Sequence, residues 1–479
     1  MRKIILSIFV ISFTMSCSDF LEVEPDRQVS INEQLSTEQG LEQVVNGLYR
    51  DVEALLSSKV HLYGDALSGN TTFSPTTTNR TVSIRPEIEM VYNFADIAVQ
   101  SDFDSFYEDC YAVINQVNLL IERKGSFTYL SNERLGQLEA ELLVIRALMH
   151  YELSLLYSQN YGFTATASHP GVVYNTTTLR VGIDFPARES AATVYTLLKN
   201  DLDRSLELFT NNSFLTEGTS LSVFNSINTQ ALYARIALQM NDWPLAASLA
   251  DDVIRTSGLQ LTPNASYLAQ WSLPAPLSET LLSFTEPRDA EGTVGSSISA
   301  YYLYSSPTVY GSYVATGDLI NSYESSDIRR NLFSLQTIPT NIGGTLQDRD
   351  YFFSTKYQRD SGTLFMRLSE MYLIQAEALQ RETPGNTTAL NRLNDIRERA
   401  GLTRLGNITL DDILLERRRE FPFENMYFYD LARYKKDVVR NLGCISTVCN
   451  LTYPSNFFVL PIPQPSVFSN PNMTQNEGY

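Results

Sequence analysis

Residues 228–258 read NTQALYARIALQMNDWPLAASLADDVIRTSG, and this stretch decides the fold class. Ala231, Ala234 and Leu238 recur at three- and four-residue spacing, the repeat of one helix face. The pattern breaks at Asn241-Asp242, and Trp243-Pro244 opens a second helix, because a proline in a first turn loses no intrahelical hydrogen bond. Leu245, Leu249 and Val253 run along that helix beside Ala246, Ala250 and Ile254. Gly258 supplies the residue type that commonly caps a C-terminus. Small alanines on both members let two backbones meet across a short turn, as in tetratricopeptide-type helix pairs. No strict period of about 34 residues recurs, so several helix pairs supporting something irregular are expected.

Working outward, the same spacing marks further helices. Leu41, Val44, Val45, Leu48 and Val52 define one; Phe106, Cys110, Val113, Val117, Leu120 and Ile121 define another. A longer one runs from Leu135 through Leu138, Leu142, Ile145, Met149, Leu153 and Leu156, with a start signal at Ser131-Asn132. Residues 60–100 and 259–360 are instead rich in Ser, Thr, Gly, Pro and Tyr, with short strand-like runs such as Leu281-Leu282-Ser283-Phe284. Loops this long in an ordered chain are usually functional. Helical spacing returns at Phe365–Leu379, Leu390–Ala400 and Ile413–Arg433, and the tail Leu451–Tyr479 is Pro- and Asn-rich and extended. The expected fold is mostly α: tetratricopeptide-like helix pairs forming a scaffold, with long irregular loops and a few short strands. Residues 1–16 read as a leader and 17–479 as one domain. Within it the scaffold lies mainly at 35–258, a loop-rich ligand region at 259–360, and helices with an extended tail at 361–479.

Charge and cysteine usage narrow the function. With 36 Lys+Arg against 54 Asp+Glu, the formal charge of -18 would repel a phosphate backbone, which argues against a nucleic-acid binder. Arg2-Lys3, the apolar run Ile4–Met15 and small Ser16 make a secretory signal too short to span a bilayer comfortably. Cys17 directly after it resembles the lipidated cysteine of a bacterial lipobox, although Thr14 and Met15 replace the preferred residues. Export places the remaining cysteines in an oxidising space. Cys444 and Cys449, with four residues between them, are candidates for a local disulfide, whereas Cys110 sits in a helical pattern as a small buried hydrophobe.

The C-terminal third carries a resemblance. Arg367-Leu368-Ser369-Glu370-Met371-Tyr372-Leu373-Ile374-Gln375-Ala376-Glu377-Ala378 resembles the R-x-x-E-x-Y-L-x-x-A-E-A helix of SusD/RagB outer-membrane lipoproteins. Leu390 to Leu402, Glu416-Arg417-Arg418-Arg419-Glu420 with Glu424, and Tyr429-Asp430-Leu431-Ala432-Arg433-Tyr434 follow in that family's order. So do Leu460-Pro461-Ile462-Pro463 and the end Gln475-Asn476-Glu477-Gly478-Tyr479; Cys17-Ser18-Asp19-Phe20-Leu21-Glu22 is similar to its mature N-terminus. The resemblance implies a lipid-anchored protein on the outer face of an outer membrane. It would capture an oligosaccharide, or in some relatives an oligopeptide, for a TonB-dependent transporter of the SusC type.

The charged motifs themselves read as structural. Glu416 and Glu420 lie one turn apart with arginines able to pair with them, with Glu424 and with Asp430, and Glu370, Glu377 and Arg397 read alike. Signatures of catalysis are missing: no G-x-S-x-G, H-E-x-x-H, G-x-G-x-x-G or Walker loop occurs, and His61, His150 and His169 are dispersed. No cofactor or metal is expected. A secreted hydrolase acting on such oligomers is the alternative from another class, since paired carboxylates need no local spacing. For a glycan, aromatic faces on loops are the expected grip. The candidates are Tyr301, Tyr302, Tyr304, Tyr310, Tyr63 and Tyr92, with Tyr313 and Phe94 in the same segments. Asp65, Asn70, Asn79 and Arg288 are nearby polar partners, and Trp271 reads as core in a supporting strand region.

Overall fold

Helix α4 (Asn132–Tyr157) is buried on nearly every side, from Leu138 to Tyr157, and the scaffold is assembled around it. A helix buried on all faces, its polar side chains Glu141, Arg146 and His150 included, belongs at the centre. The computed structural model describes residues 30–210, 213–215, 221–273, 275–284, 298–357 and 362–479. The leader, Cys17 and Arg288 lie outside those residues. Helices of seven or more residues are numbered in chain order. Before α4 come α1 (Glu38–Leu56), α2 (Val60–Ser68) and α3 (Asp104–Arg123). After it come α5 (Ala191–Leu208), α6 (Ser226–Gln239), α7 (Trp243–Thr256) and α8 (Asn264–Trp271). The C-terminal third adds α9 (Leu368–Glu382), α10 (Thr387–Arg399), α11 (Leu410–Glu420) and α12 (Tyr427–Arg433).

The pair read first from sequence is α6 and α7. Asp242 caps α7 with Pro244 in its first turn, and Gly258 follows at φ 72°. Ala231, Ala234, Ala246 and Ala250 are all fully buried, so the two helices approach through small residues. Successive helices stack as α3 on α4, α4 on α5, α6 on α7 and α9 on α10, with α9 also packed on α7. Caps are local: Ser131, Ser190 and Thr409 each accept a backbone N–H of the first turn, worth about 1 kcal/mol apiece.

Three elements differ from the sequence reading. Residues 60–68, read as loop, form α2, in which every residue is buried; a short element buried all round shows no amphipathic period. Phe365–Arg367 belong to strand β8 (Thr363–Arg367), not to the following helix, and Arg367 is extended at φ -144°. Trp271 ends helix α8, although it is core as expected.

The loop-rich segment holds most of the β-structure, and not all of its strands are short. Its sheet runs β1 (Thr71–Phe73), β5 (Tyr313–Ala315), β7 (Thr345–Ser354), β6 (Phe333–Ile342), all antiparallel. The ten-residue strands β6 and β7 turn at Gly343-Gly344, both with positive φ (61° and 86°), as a two-residue hairpin turn requires. Strands β3 (Tyr304–Ser306) and β4 (Val309–Tyr310) make a second, small hairpin. Strand β2 (Thr280–Phe284) pairs with β8.

The acid–arginine motifs form a buried lattice. Arg329 binds Asp327 at 2.7 Å, Glu416 at 2.6 Å and Glu420 at 2.9 Å. Arg399 bonds Glu279 and Glu420, and Arg367 joins Glu279, Glu420 and Glu424. Lys356 reaches Glu424 at 2.6 Å, and Arg417 and Arg433 share Asp430. Burial would raise the Glu420 carboxyl, but Arg399, Arg367 and Arg329 together hold it well below the usual carboxylate range. The turn after α11 makes this possible: Phe423 and Asn425 both adopt left-handed φ (65° and 58°), turning Glu424 inward. The motifs that signal the family thus hold the C-terminal helices together.

Candidate functional site

The candidate site is a ledge built where the β3–β4 hairpin meets the segment 75–82. Tyr304 and Tyr310 are paired residues of β3 and β4, so their rings leave the same face. They stack at 6.1 Å between centroids and 10° between planes. Buried Phe353 lies beneath both rings, at 5.1 and 5.6 Å, and with Val314 and Ile338 forms a small core of its own. Both tyrosines are only half-buried, so the pair is supported from below and open above.

Arg80 borders this pair. Its Nη1 donates to the Tyr310 hydroxyl at 3.0 Å and to the Pro307 carbonyl at 3.1 Å. Its backbone is left-handed at φ 59°, an unfavourable state for arginine, and its carbonyl accepts the Asn341 N–H at 2.8 Å at the end of β6. Among the described residues no carboxylate forms an ion pair with Arg80, unlike most arginines of the scaffold. Thr76 N–H donates to the Thr81 carbonyl and Arg80 N–H to the Thr76 carbonyl, closing a loop whose tip exposes Thr77, Thr78 and Asn79. Two parallel aromatic faces, a guanidinium and a tip of hydroxyl and amide groups therefore share one open surface.

Tyr301 lies at the rear, half-buried, its hydroxyl pKa raised by burial and by Glu87. At Gly311 an added Cβ would stand 2.3 Å from the Tyr301 carbonyl oxygen, so only glycine lets the chain pass from β4 to β5 there.

The structure separates the six tyrosines. Tyr304, Tyr310 and Tyr301 are at or beside the ledge. Tyr302, Tyr63 and Tyr92 are core residues and leave the candidate surface. Tyr302 is enclosed by the rings of Phe423, Tyr357, Tyr301 and Tyr313, a setting that outweighs its neighbours' exposure. Tyr63 packs against Phe103, Phe428 and Tyr429, and Tyr92 against Phe73 beneath the Arg440 guanidinium. Tyr313 and Phe94 are buried as well, Tyr313 donating its hydroxyl to Glu87 at 2.8 Å. Asp65 and Asn70 are interior: Asp65 accepts from Asn70 and the Asn425 N–H, and Arg418 donates to Asn70. Of the polar partners read from sequence, Asn79 stands at the ledge. Arg80 beside it was missed; its signal was the position next to a Thr-rich loop tip.

The three histidines are engaged in the interior and in loop hydrogen bonds. His61 and His150 are buried, their pKa values lowered by burial to about 4 and about 3, and each is held by a backbone carbonyl at 2.9 and 2.8 Å. His169 bonds the Gln159 carbonyl and Thr164. Among the described residues no group of three or more His, Cys, Asp or Glu could hold a metal ion, and no helix is long and apolar enough to cross a membrane. Cys444 and Cys449 are joined in a disulfide, and Cys110 is a buried free thiol.

A helical scaffold thus presents a small aromatic surface on irregular loops. Residues 345–479 match the model of the SusD family, and residues 19–238 match one described as starch-binding associating with outer membrane. The chain belongs to the SusD/RagB family. It is 25% identical to a SusD-like protein of Bacteroides ovatus over a region covering 52% of each chain. It is 22% identical to SusD-like protein P25 of Formosa agariphila over 100% of this chain and 99% of that one. The Starch-binding protein SusD of Bacteroides thetaiotaomicron is 31% identical over 25% of this chain and 22% of its own. A crystal structure of a SusD superfamily protein from Bacteroides thetaiotaomicron superposes with TM-score 0.80 at 24% identity, covering 92% and 99% of the two chains. The surface glycan-binding protein A of Bacteroides uniformis superposes with TM-score 0.68 at 16% identity, covering 92% and 99%. The Tyr304–Tyr310 hairpin falls in 239–344, the stretch between the two family matches.

Proposed function

We propose that this chain is a cell-surface lipoprotein that captures an oligosaccharide on the Tyr304–Tyr310 ledge and delivers it to a SusC-type TonB-dependent outer-membrane transporter. The observation that carries the ligand reading is the parallel, supported and open tyrosine pair beside Arg80. Sugar rings present C–H faces to aromatic rings and hydroxyls to guanidinium and amide donors, and the ledge offers both kinds of partner. The names of relatives that bind starch or glycans support the same class. Binding without turnover is supported by the names of those relatives, which describe binding.

In this reading residues 1–16 are a leader and Cys17 carries the lipid that holds the mature chain to the outer membrane, facing the exterior. Residues 259–360 supply the ligand region on the scaffold of 35–258. The test is direct: the purified protein is titrated with maltooligosaccharides and other neutral oligosaccharides while products are followed by chromatography. Saturable binding with no cleavage is expected; cleavage would establish a hydrolase, and capture of oligopeptides alone would replace the ligand class. Detergent extraction should recover the protein with a barrel transporter, and Cys17→Ala should release it from the membrane fraction.

A further inference from the structure

Exposed apolar side chains gather at one edge of the helical scaffold, remote in sequence from the ledge. Val181 is fully exposed (102%), Ile183 is 60% exposed, and Phe185 follows on the same loop. The six-residue helix Gln464–Ser469 carries Phe468 at 77% exposure, and the Gln464 N–H bonds the Ala98 carbonyl beside exposed Val99. These segments are fastened together: Asn470 donates to the Pro186 carbonyl and Asn472 to the Phe185 carbonyl, each at 2.7 Å. Between them lies a largely apolar groove of about 360 Å³. Single exposed apolar residues are common, but a contiguous cluster of them marks a contact surface.

The position of the patch indicates what covers it. Thr178 N–H donates to Glu122 and Leu179 N–H to Asn115, both at 2.7 Å, so the loop is tied along the C-terminal half of α3. Arg123, the last residue of α3, donates to Asn32 at 2.7 Å, two residues beyond Ser30, where the described chain begins. From Asn115 to Arg123 is about 12 Å of helix. Residues 18–29 separate Ser30 from Cys17 and can reach at most about 45 Å. The apolar loop therefore lies on the side at which a tether from Cys17 enters, within its span. Arg180 and Asp184, the loop's ionic residues, pair with each other at 3.0 Å, so the loop itself carries no net charge, while Glu108 lines the groove and Glu122 holds the loop's base.

We propose that the Val181–Phe185 loop, with Phe468, is a second membrane contact that rests in the interfacial region of the lipid leaflet holding the anchor. It rests on the reading of Cys17 as the lipidated residue. Lipid chains tether without fixing orientation, whereas an apolar loop at a set distance from the tether selects one face of the protein toward the bilayer. The tyrosine ledge would then keep a constant aspect to the membrane.

The test uses the mature lipidated protein reconstituted into phosphatidylethanolamine–phosphatidylglycerol vesicles that contain a spin-labelled lipid. Val181→Cys is labelled with an environment-sensitive dye, and Asp348→Cys on the exposed β7 strand is the control; native Cys110 is buried and Cys444–Cys449 is closed. The label at 181 should be quenched roughly twofold and blue-shifted while that at 348 is unchanged. Equal behaviour of both labels on protein that floats with the vesicles would overturn the loop contact and leave the anchor standing. Protein that does not float would remove the anchor and the proposal with it. Protection of the 181 label from lipid quencher when a co-purified barrel is present would also overturn it, assigning the patch to a polypeptide.

Discussion

Replacing Glu420 by Gln probes the charge lattice at its most connected point. The Glu420 side chain is fully buried and receives Arg329 at 2.9 Å, Arg399 at 2.5 Å, and Arg367. The amide keeps shape and one acceptor but leaves an excess positive charge among three arginines that cannot reach water. Removing one partner of a buried ion network costs about 3–5 kcal/mol. Unfolding entropy of about 2.1 cal/mol/K per residue over 479 residues amounts to about 1 kcal/mol/K, so Glu420→Gln should lower Tm by about 3–5 °C. Glu398→Gln, which removes an exposed pair with Arg404, should shift it by less than about 1 °C. The pH dependence provides a second check. A carboxyl held below its unfolded pKa stabilises above that pKa, and the contribution is lost as pH falls toward the folded value. The gap between wild type and Glu420→Gln, measured by calorimetry, should therefore be full at pH 7 and shrink below about pH 4. A Glu420→Gln variant with wild-type Tm at pH 7 would refute the view that these motifs act through buried charge pairing.

Two further perturbations test the interior. Glu152 is buried with Arg235 as its charged neighbour, and burial raises its pKa to about 7. A raised carboxyl pKa costs stability as pH climbs from the unfolded value through the folded one, so Glu152→Gln should stabilise the protein at pH 8 by about 3 kcal/mol and have little effect at pH 4. Urea denaturation at the two pH values measures this, and an equal effect at both would exclude the titration. The Cys444–Cys449 bridge closes a short loop, so the double serine variant should lose about 2 kcal/mol at most and keep its helical circular dichroism. Loss of the whole fold in that variant would show the loop to be a keystone.

How far the chain was legible depended on how each element is stabilised. The α6–α7 pair was readable because alanines, Asn241-Asp242, Pro244 and Gly258 all act locally. The C-terminal helices were readable from their helical spacing, and their ion pairs from the charged motifs, because arginine pairing with carboxylates needs particular residues at particular turns. Helix α2 was hidden because burial on all sides erases the amphipathic signal. The β6–β7 hairpin had a signal, Gly343-Gly344 between two strands, but the surrounding Ser, Thr and Tyr content read as loop. At the ledge, proximity in sequence misled: Tyr301, Tyr302 and Tyr304 are near neighbours, yet Tyr302 turns into the aromatic core and Tyr304 pairs across a hairpin with Tyr310. Arg80 joins that pair from more than 200 residues away, a contact only the tertiary fold specifies.

The central claim is that the Tyr304–Tyr310 pair grips an oligosaccharide. Isothermal titration of wild type and of Tyr304→Ala/Tyr310→Ala with the oligosaccharide that wild type binds tests it most directly. Both rings are half-buried on a small separate core, so the helical scaffold should persist by circular dichroism. Losing two stacking faces at about 1–1.5 kcal/mol each should weaken binding roughly 30- to 150-fold. Unchanged affinity in the folded double variant would contradict the account and move the site away from the ledge.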